Sequence, residues 1–352
     1  MSESTIKWYR TPLSRDTLRQ LIKRRDGPAL AQSLGFLLVY AGTAAGAWVA
    51  WDAVESGSFP VLGLVLLLFA HGTVANFLLQ GFHELVHQTV FKTKWLGELF
   101  LYIISFLSFL NPFQFRASHK RHHLYTLHPP KDREVLLPIK ITLLDYICVA
   151  IIDPWSVFFK IRMAATNATG QYNTQWEEDN FTEEGPKARR KLFWWARFNL
   201  LGHGLIVALA VAGGTPQLAV LITFGSFYGR WLQYLCNESQ HVGLTDNIPD
   251  FRACCRTFTT NPVVQFLYWH MNFHTEHHMY AAVPCYNLGK LHRAIRHELP
   301  STKRGVVPTW LEITSIMQRQ KREPDYKYMP PLPPKSSRPV AGSSGANAAR
   351  DN

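Results

Sequence analysis

Charge is the property this sequence withholds most selectively. Lys and Arg number 37 and Asp and Glu 25 in 352 residues, yet none of the four occurs in residues 27–51, 56–82 or 198–229. A water-soluble domain has no use for uncharged runs of that length, and each exceeds the roughly 20 residues a helix needs to cross hydrocarbon. Cysteine is scarce as well. Cys148, Cys236, Cys254, Cys255 and Cys285 make neither a disulfide framework nor a CxxC pair, so they read as small structural hydrophobes. The first 29 residues are charged and lack an apolar run, so no cleavable signal peptide is expected. The net charge of +12 is compatible with nucleic acid, but no basic stretch is interleaved with aromatics in a recognition motif, and no nucleic-acid partner is expected.

The uncharged runs pair off. Only the short segment around Asp52 separates the first two, which makes them a tight helical hairpin. The third is broken by Gly213, Gly214, Thr215 and Pro216, which is turn chemistry, so it reads as a second hairpin. Seven Lys and Arg lie within residues 7–25, whereas none lies within residues 26–91 or 198–229. Both hairpin tips therefore lack positive charge, and the positive-inside rule puts the termini and the connection between the hairpins in the cytoplasm. Residues 99–115 and about 139–161 are shorter or interrupted by Asp145, Asp153 and Pro154, as interfacial or partly inserted helices would be. Residues 171–191 read as a polar loop, and the Pro-, Ser- and Gly-rich residues 324–352 as a disordered tail. The expected fold is all-α and integral to the membrane, with four transmembrane helices in two hairpins under a cytoplasmic helical cap. Residues 1–29 form a cytoplasmic N-terminal segment and residues 30–323 the membrane domain.

Histidine is abundant where charge resumes. His83-Glu-Leu-Val-His87 follows the second run directly, His119-Lys-Arg-His122-His123 lies between the hairpins, and His274-Thr-Glu-His277-His278 follows the second hairpin. Residues i and i+3 or i+4 share a helix face, so each box presents at least two, and on this reading three, ring nitrogens to one side. Asn237-Glu-Ser-Gln-His241 repeats the i, i+4 spacing after the fourth expected span. The charge rule puts all four elements on the cytoplasmic side. His241 brings the set to nine imidazoles, too many for one tetrahedral site, and the surplus argues for two metals. Imidazole accepts zinc, copper, iron or nickel, so spacing does not name the metal.

Together, HxxxH, HxxHH and HxxHH with paired spans resemble the membrane fatty acid desaturase superfamily over roughly residues 30–300. The surrounding stretches SHKRHHLYTLHPP and NFHTEHHMYAAVPCYNLGKLH are similar to those of bacterial and fungal fatty acid desaturase-like proteins. The resemblance implies a di-iron centre that uses O2 to abstract hydrogen from an unactivated C–H bond. Its ligands would be His83, His87, His119, His122, His123, His274, His277 and His278. Asn237 and His241 resemble the Asn-x-x-x-His element of acyl-CoA desaturases, in which the histidine is a ninth ligand and the asparagine acts through water. A fatty acyl lipid or acyl thioester is the implied substrate, and membrane lipids the surroundings. Members fused to cytochrome b5 carry an HPGG motif, which is absent here, so electrons would come from a separate carrier of cytochrome b5 or ferredoxin type. The location would be the endoplasmic reticulum in a eukaryote or the inner membrane in a bacterium.

Desaturation is the favoured outcome, with a lipid or other hydrophobic substrate's hydroxylation as the alternative, since the boxes do not separate the two. His83-Glu84-x-x-His87 also fits the HExxH of zinc proteases, but that reading leaves the other boxes idle. A metal transporter would hold its ligands within the spans rather than at their ends. His71 and His203 do lie within spans and are functional candidates on that ground, though bundle hydrogen bonds would also account for them. His270 could extend the third box, and His128, His292 and His297 read as solvated. Lys187, Arg189, Arg190, Lys191, Arg293 and Arg296 could face headgroups or an acidic donor, but positive-inside charge suffices to explain them.

Overall fold

In the computed structural model, which describes residues 6–335, most of the uncharged sequence is helical, as its composition requires. Three helices are long and apolar enough to cross a membrane, Asp26–Glu55, Val61–Val86 and Pro186–Ala212. The second is nearly continuous, with Val61–Asn76 running into Leu78–Val86 through Phe77. Their outer faces expose Leu38, Val49, Leu62, Leu66, Leu201 and Leu209, while Phe36, Ala47, Val74 and Ala75 pack inward. That polarity is inverted relative to a soluble bundle, and lipid is the solvent that makes it favourable.

Among the described residues one bent pair is apolar enough to cross if its two helices are taken together: Lys94–Leu107 and Pro112–Tyr125 meet at 105°. The bend is written locally. Asn111 caps the second helix by accepting from the backbone N–H of Phe113 and Gln114, and Pro112 occupies its first turn. The corner aims the second histidine box back at the first. Leu143–Ile151 and Pro154–Ala168 follow, with Leu143, Leu144, Trp155, Phe158 and Phe159 facing outward.

The return limb of the second hairpin departs from expectation. Residues 216–229 were expected to form a continuous span, but they make one α-turn at Pro216–Leu218, a π-turn at Ala219–Thr223 and a 3-10 turn at Gly225–Phe227, before helix Trp231–Glu238. Irregular backbone at such depth survives only where protein satisfies it. Here Tyr40 Oη donates to Leu221 O at 3.1 Å, His71 Nε2 lies 2.9 Å from the same oxygen, and Asn76 Nδ2 donates to Tyr228 O at 2.7 Å. His203 bridges Thr223 Oγ1 and Phe106 O at 3.1 and 2.9 Å. His71 thus satisfies backbone of the broken limb, while His203 ties its Thr223 side chain to the helix that carries Phe106. Gly72 is required beside it, since a Cβ there would lie 2.5 Å from Tyr228 O.

Residues 171–191 also differ, because most of them, from Gln175 onward, are helical rather than a loop. Thr174 caps Gln175–Glu184, whose Phe181 buries against Ala117 of the second-box helix and Leu192. Both ends of the described chain pack onto the boxes' side of the protein. Trp8 stacks on Phe251 at 4.1 Å, and Thr11 N–H donates to Met279 Sδ beside the third box. Residues 324–335 have no helix or strand beyond the end of Val306–Arg322, yet Thr245 Oγ1 donates to Tyr328 O at 2.6 Å and Arg252 Nη1 to Pro333 O at 3.4 Å. The remainder of the expected tail, residues 336–352, lies outside the described residues.

Candidate metal centre

Four short elements carry the histidines to one place. His83 lies in Leu78–Val86 and His87 caps it, His119, His122 and His123 lie in Pro112–Tyr125, His241 follows Trp231–Glu238, and His274–Met279 is the third box itself. The nine do not form one cluster. Ligand atoms of His83, His87, His119, His123 and His277 all lie within 4.8 Å of one another, and those of His241, His274, His278 and Cys255 form a second such set. His122 stands at the edge of the second set, its ring centroid 5.3 Å from that of His241 and 4.9 Å from that of His278.

The second and third boxes are therefore shared: His119 and His123 go to one set while His122 faces the other, and His274 and His278 go to the second while His277 joins the first. This corrects the expectation that all three rings of a box face one side. His270 does not extend the third box, because its φ of 60° lies in a turn before the helix begins and its Nδ1 meets Gln265 Nε2 at 3.0 Å. His292 is not a solvated bystander either, since Glu276, buried on the third box, is paired to its Nδ1 and also takes the hydroxyl proton of Thr257. Spacing gave no hint of Cys255, which lies nineteen positions before His274 and reaches its set through the fold.

Ring nitrogens converge as metal ligands do. Nε2 atoms of His87 and His119 are 3.1 Å apart, those of His119 and His123 3.0 Å, of His123 and His277 3.2 Å, and of His241 and His274 2.9 Å. Metal–nitrogen bonds of about 2.0–2.1 Å at right-angled to tetrahedral separation put ligand nitrogens roughly 2.9–3.4 Å apart. Without an ion these contacts ask each ring to serve several acceptors with one proton, and His278 Nε2 is buried with no hydrogen-bond partner at all. The donor sets fit two metal ions.

Behind the rings, acceptors hold the other nitrogens. His119 Nδ1 meets Glu134 Oε1 at 2.7 Å, His122 Nδ1 meets Asp132 Oδ2 at 2.9 Å, His241 Nδ1 meets Cys254 O at 2.8 Å, and His278 Nδ1 meets Thr126 Oγ1 at 3.1 Å. Such partners fix tautomer and ring orientation. Burial lowers His241 to about 3 and holds His274, His277 and His278 well below the ordinary imidazole range. All four are thus neutral, which is the ligating form. Burial raises Glu134 to about 7. Asn237 accepts from Gln80 Nε2 at 3.2 Å and donates to Glu238 at 3.3 Å.

Glu84 is committed to the rings of the first set. It is fully buried, with Oε1 3.3 Å from His83 Nδ1 and 3.4 Å from His277 Nδ1. It lies beside two rings of the same set and is hydrogen-bonded to that of His83.

No curated protein matches the chain. A family model described as fatty acid desaturase matches residues 57–310, which takes in all three boxes and His241. With its membrane-length helices, two convergent histidine sets and that match, the chain belongs to the fatty acid desaturase family, whose members are membrane oxidoreductases.

Proposed function

We propose that this protein is an O2-dependent di-iron desaturase acting on a fatty acyl chain of membrane lipid or an acyl thioester. The observation that carries the reading is that one box, His274–His278, divides its rings between two histidine sets while His122 of the other borders the second set, an arrangement that would hold a pair of metals rather than two independent ions. A bound di-iron pair would activate O2, the oxidant, with electrons from the carrier, to remove hydrogen from an unactivated C–H bond. The chain's own residues do the rest. Glu84, Asp132, Glu134 and Thr126 orient the rings, and the burial of His274, His277 and His278 keeps bulk water from the centre. Asn237, tied to Gln80 and Glu238, would act through water.

In this reading residues 30–323 are the membrane domain, with two hairpins whose fourth limb is the broken segment 216–238. The cap formed by the boxes, residues 6–25 and residues 324–335 faces the cytoplasm, as the basic N-terminal segment predicts. Electrons arrive from a separate carrier of cytochrome b5 or ferredoxin type.

Expression in a host of simple lipid profile, with an active redox partner, followed by mass spectrometry of total lipids, tests the proposal. The expected product has lost two hydrogens. A gain of one oxygen would assign a hydroxylase instead, and one zinc per chain with no iron in the purified protein would overturn the di-iron reading.

A further inference from the structure

Cys255 is one of four buried cysteines, and burial alone would make it no more than a small hydrophobe. Its backbone sets it apart. Helix Phe251–Cys254 stops at an extended Cys255, with φ −126° and ψ 150°. On one side, Arg256 N–H donates to Gln240 O at 2.9 Å, and Arg256 Nη1 donates to Ser239 O and Val242 O at 2.6 and 2.9 Å. On the other, Thr257 pairs with Phe273 in an antiparallel bridge, and Thr275 N–H donates to Thr257 Oγ1 at 3.2 Å. The segment is therefore held between the His241 loop and the third box.

The sulfur lands where the two meet. Cys255 Sγ and one ring nitrogen from each of His241, His274 and His278 all lie within 4.8 Å of one another, whereas Cys236, Cys254 and Cys285 belong to neither set. Cys254 contributes through its carbonyl instead, which accepts from His241 Nδ1 at 2.8 Å and leaves the ring's Nε2 to face the set. His278 Nδ1 likewise meets Thr126 Oγ1, so the nitrogen left for the set is Nε2, which is buried with no hydrogen-bond partner. Cys255 Sγ is as poorly engaged, since its neighbour Cys254 Sγ is 4.0 Å away and a thiol is a weak donor and acceptor.

Donor number and charge agree with the placement. The first set has five imidazoles, and the second has three with His122 at its edge, so Cys255 brings the second to five donors as well. Imidazoles ligate as neutral rings. A buried dication held by them alone would keep its whole charge, and a thiolate offsets part of it. Burial pushes the free thiol's pKa up, but a coordinating metal ion displaces that proton outright.

We propose that Cys255 is a thiolate ligand of the second metal ion, so that the two ions are chemically unlike: five nitrogens hold one, and four nitrogens with a sulfur hold the other. The inference rests on the reading of the two sets as a di-metal centre. An anionic donor favours the more highly charged state of the ion beside it, so the second ion is the harder of the two to reduce.

X-ray absorption at the iron edge of the full-length protein in detergent, loaded anaerobically with ferrous iron, tests this without turnover. Wild type should show about one sulfur for every two irons, in a shell roughly 0.2–0.3 Å outside the nitrogens, as metal–sulfur bonds exceed metal–nitrogen bonds. Cys255→Ser should lose that shell. Cys254→Ser, which keeps its carbonyl on His241, should retain it. Among the described residues no other sulfur joins either set, so the wild-type spectrum decides by itself if Cys255→Ser fails to fold. Nitrogen scattering alone in wild type, or a sulfur shell that survives Cys255→Ser, would overturn the ligand. A protein that oxidises host lipids with an all-nitrogen centre keeps its proposed function and loses this inference. One that takes up zinc in place of iron, with the sulfur shell at the zinc edge, does the reverse.

Discussion

Asp132→Asn should weaken one metal more than the other. Asp132 is fully buried, and every partner it has is a donor: Oδ2 accepts from His122 Nδ1 at 2.9 Å and from Leu127 N–H at 2.8 Å, and Oδ1 accepts from Glu134 N–H at 2.9 Å. Burial pushes its carboxyl up, but the hydrogen bond and charge of His122 more than offset this and hold it below the usual carboxylate range. An amide offers one acceptor oxygen where two are needed. If that oxygen serves His122 and Leu127, the NH2 group faces the N–H of Glu134, and a donor is left against a donor at a cost of about 1–3 kcal/mol in stability. Reversed, the NH2 group faces His122 and presses its ring toward the other tautomer. His122 stands at the edge of the second set, so its orientation depends on this one contact. Losing such a partner lowers metal affinity about 10- to 100-fold, or roughly 1.4–2.7 kcal/mol. Metal content measured against rising chelator should show half the metal of the variant leaving at about 10- to 100-fold lower chelator, and the other half leaving as in wild type. Identical release curves for variant and wild type would refute the assignment of Asp132 as the group that positions His122.

His277→Ala and His274→Ala should each lose about half the bound metal but from different sets, so the two residual centres should differ spectroscopically; identical residual spectra would sink the two-set geometry. Glu84→Gln should loosen metal in the five-histidine set about 10- to 100-fold, since both His83 and His277 lose their carboxylate; full metal retention would show that the carboxylate does not steady those rings. His71→Leu should lower stability in detergent by about 1–3 kcal/mol, by removing a partner of Leu221 O, and leave metal content unchanged. Metal loss without a lower melting temperature would return His71 to the list of functional residues.

What could be read from sequence was what depends on short-range spacing and on long uncharged runs. The two long N-terminal helices, Pro186–Ala212 and the three boxes follow from those directly. Three things escaped for identifiable reasons. The broken limb 216–229 has the composition of a span, and only the tertiary donors Tyr40, His71 and Asn76, remote in sequence, make its irregular backbone tolerable. Helix Gln175–Glu184 is too polar to show an apolar period and is stabilised by its Thr174 cap and one buried ring, Phe181. Cys255 and Glu134 meet the histidines through loop geometry that no local pattern records, although an acidic pair following the second box, Asp132 and Glu134, was visible and offered the acceptors that ligating histidines require.

The division of the histidines into two sets, by contrast, was more legible than ligand counting suggests. Each helical residue turns the side chain by about 100°, so residues i and i+4 differ by about 40° and can share a metal, while adjacent residues diverge by about 100° and cannot. An HxxxH box such as His83 and His87 is therefore a single-centre device, and both rings do join one set. An HxxHH box contains the same i, i+4 pair plus one ring thrown well to the side. Two such boxes facing each other have a consistent solution only if the odd ring of each serves the pair of the other. The structure has that arrangement: His277 sits with His119 and His123, and His122 borders His274 and His278 from across the site. This interlock makes the separation of the two histidine sets a property of the two box helices rather than of the long apolar helices. Substitutions that shift the spans should accordingly change substrate fit before they change metal binding.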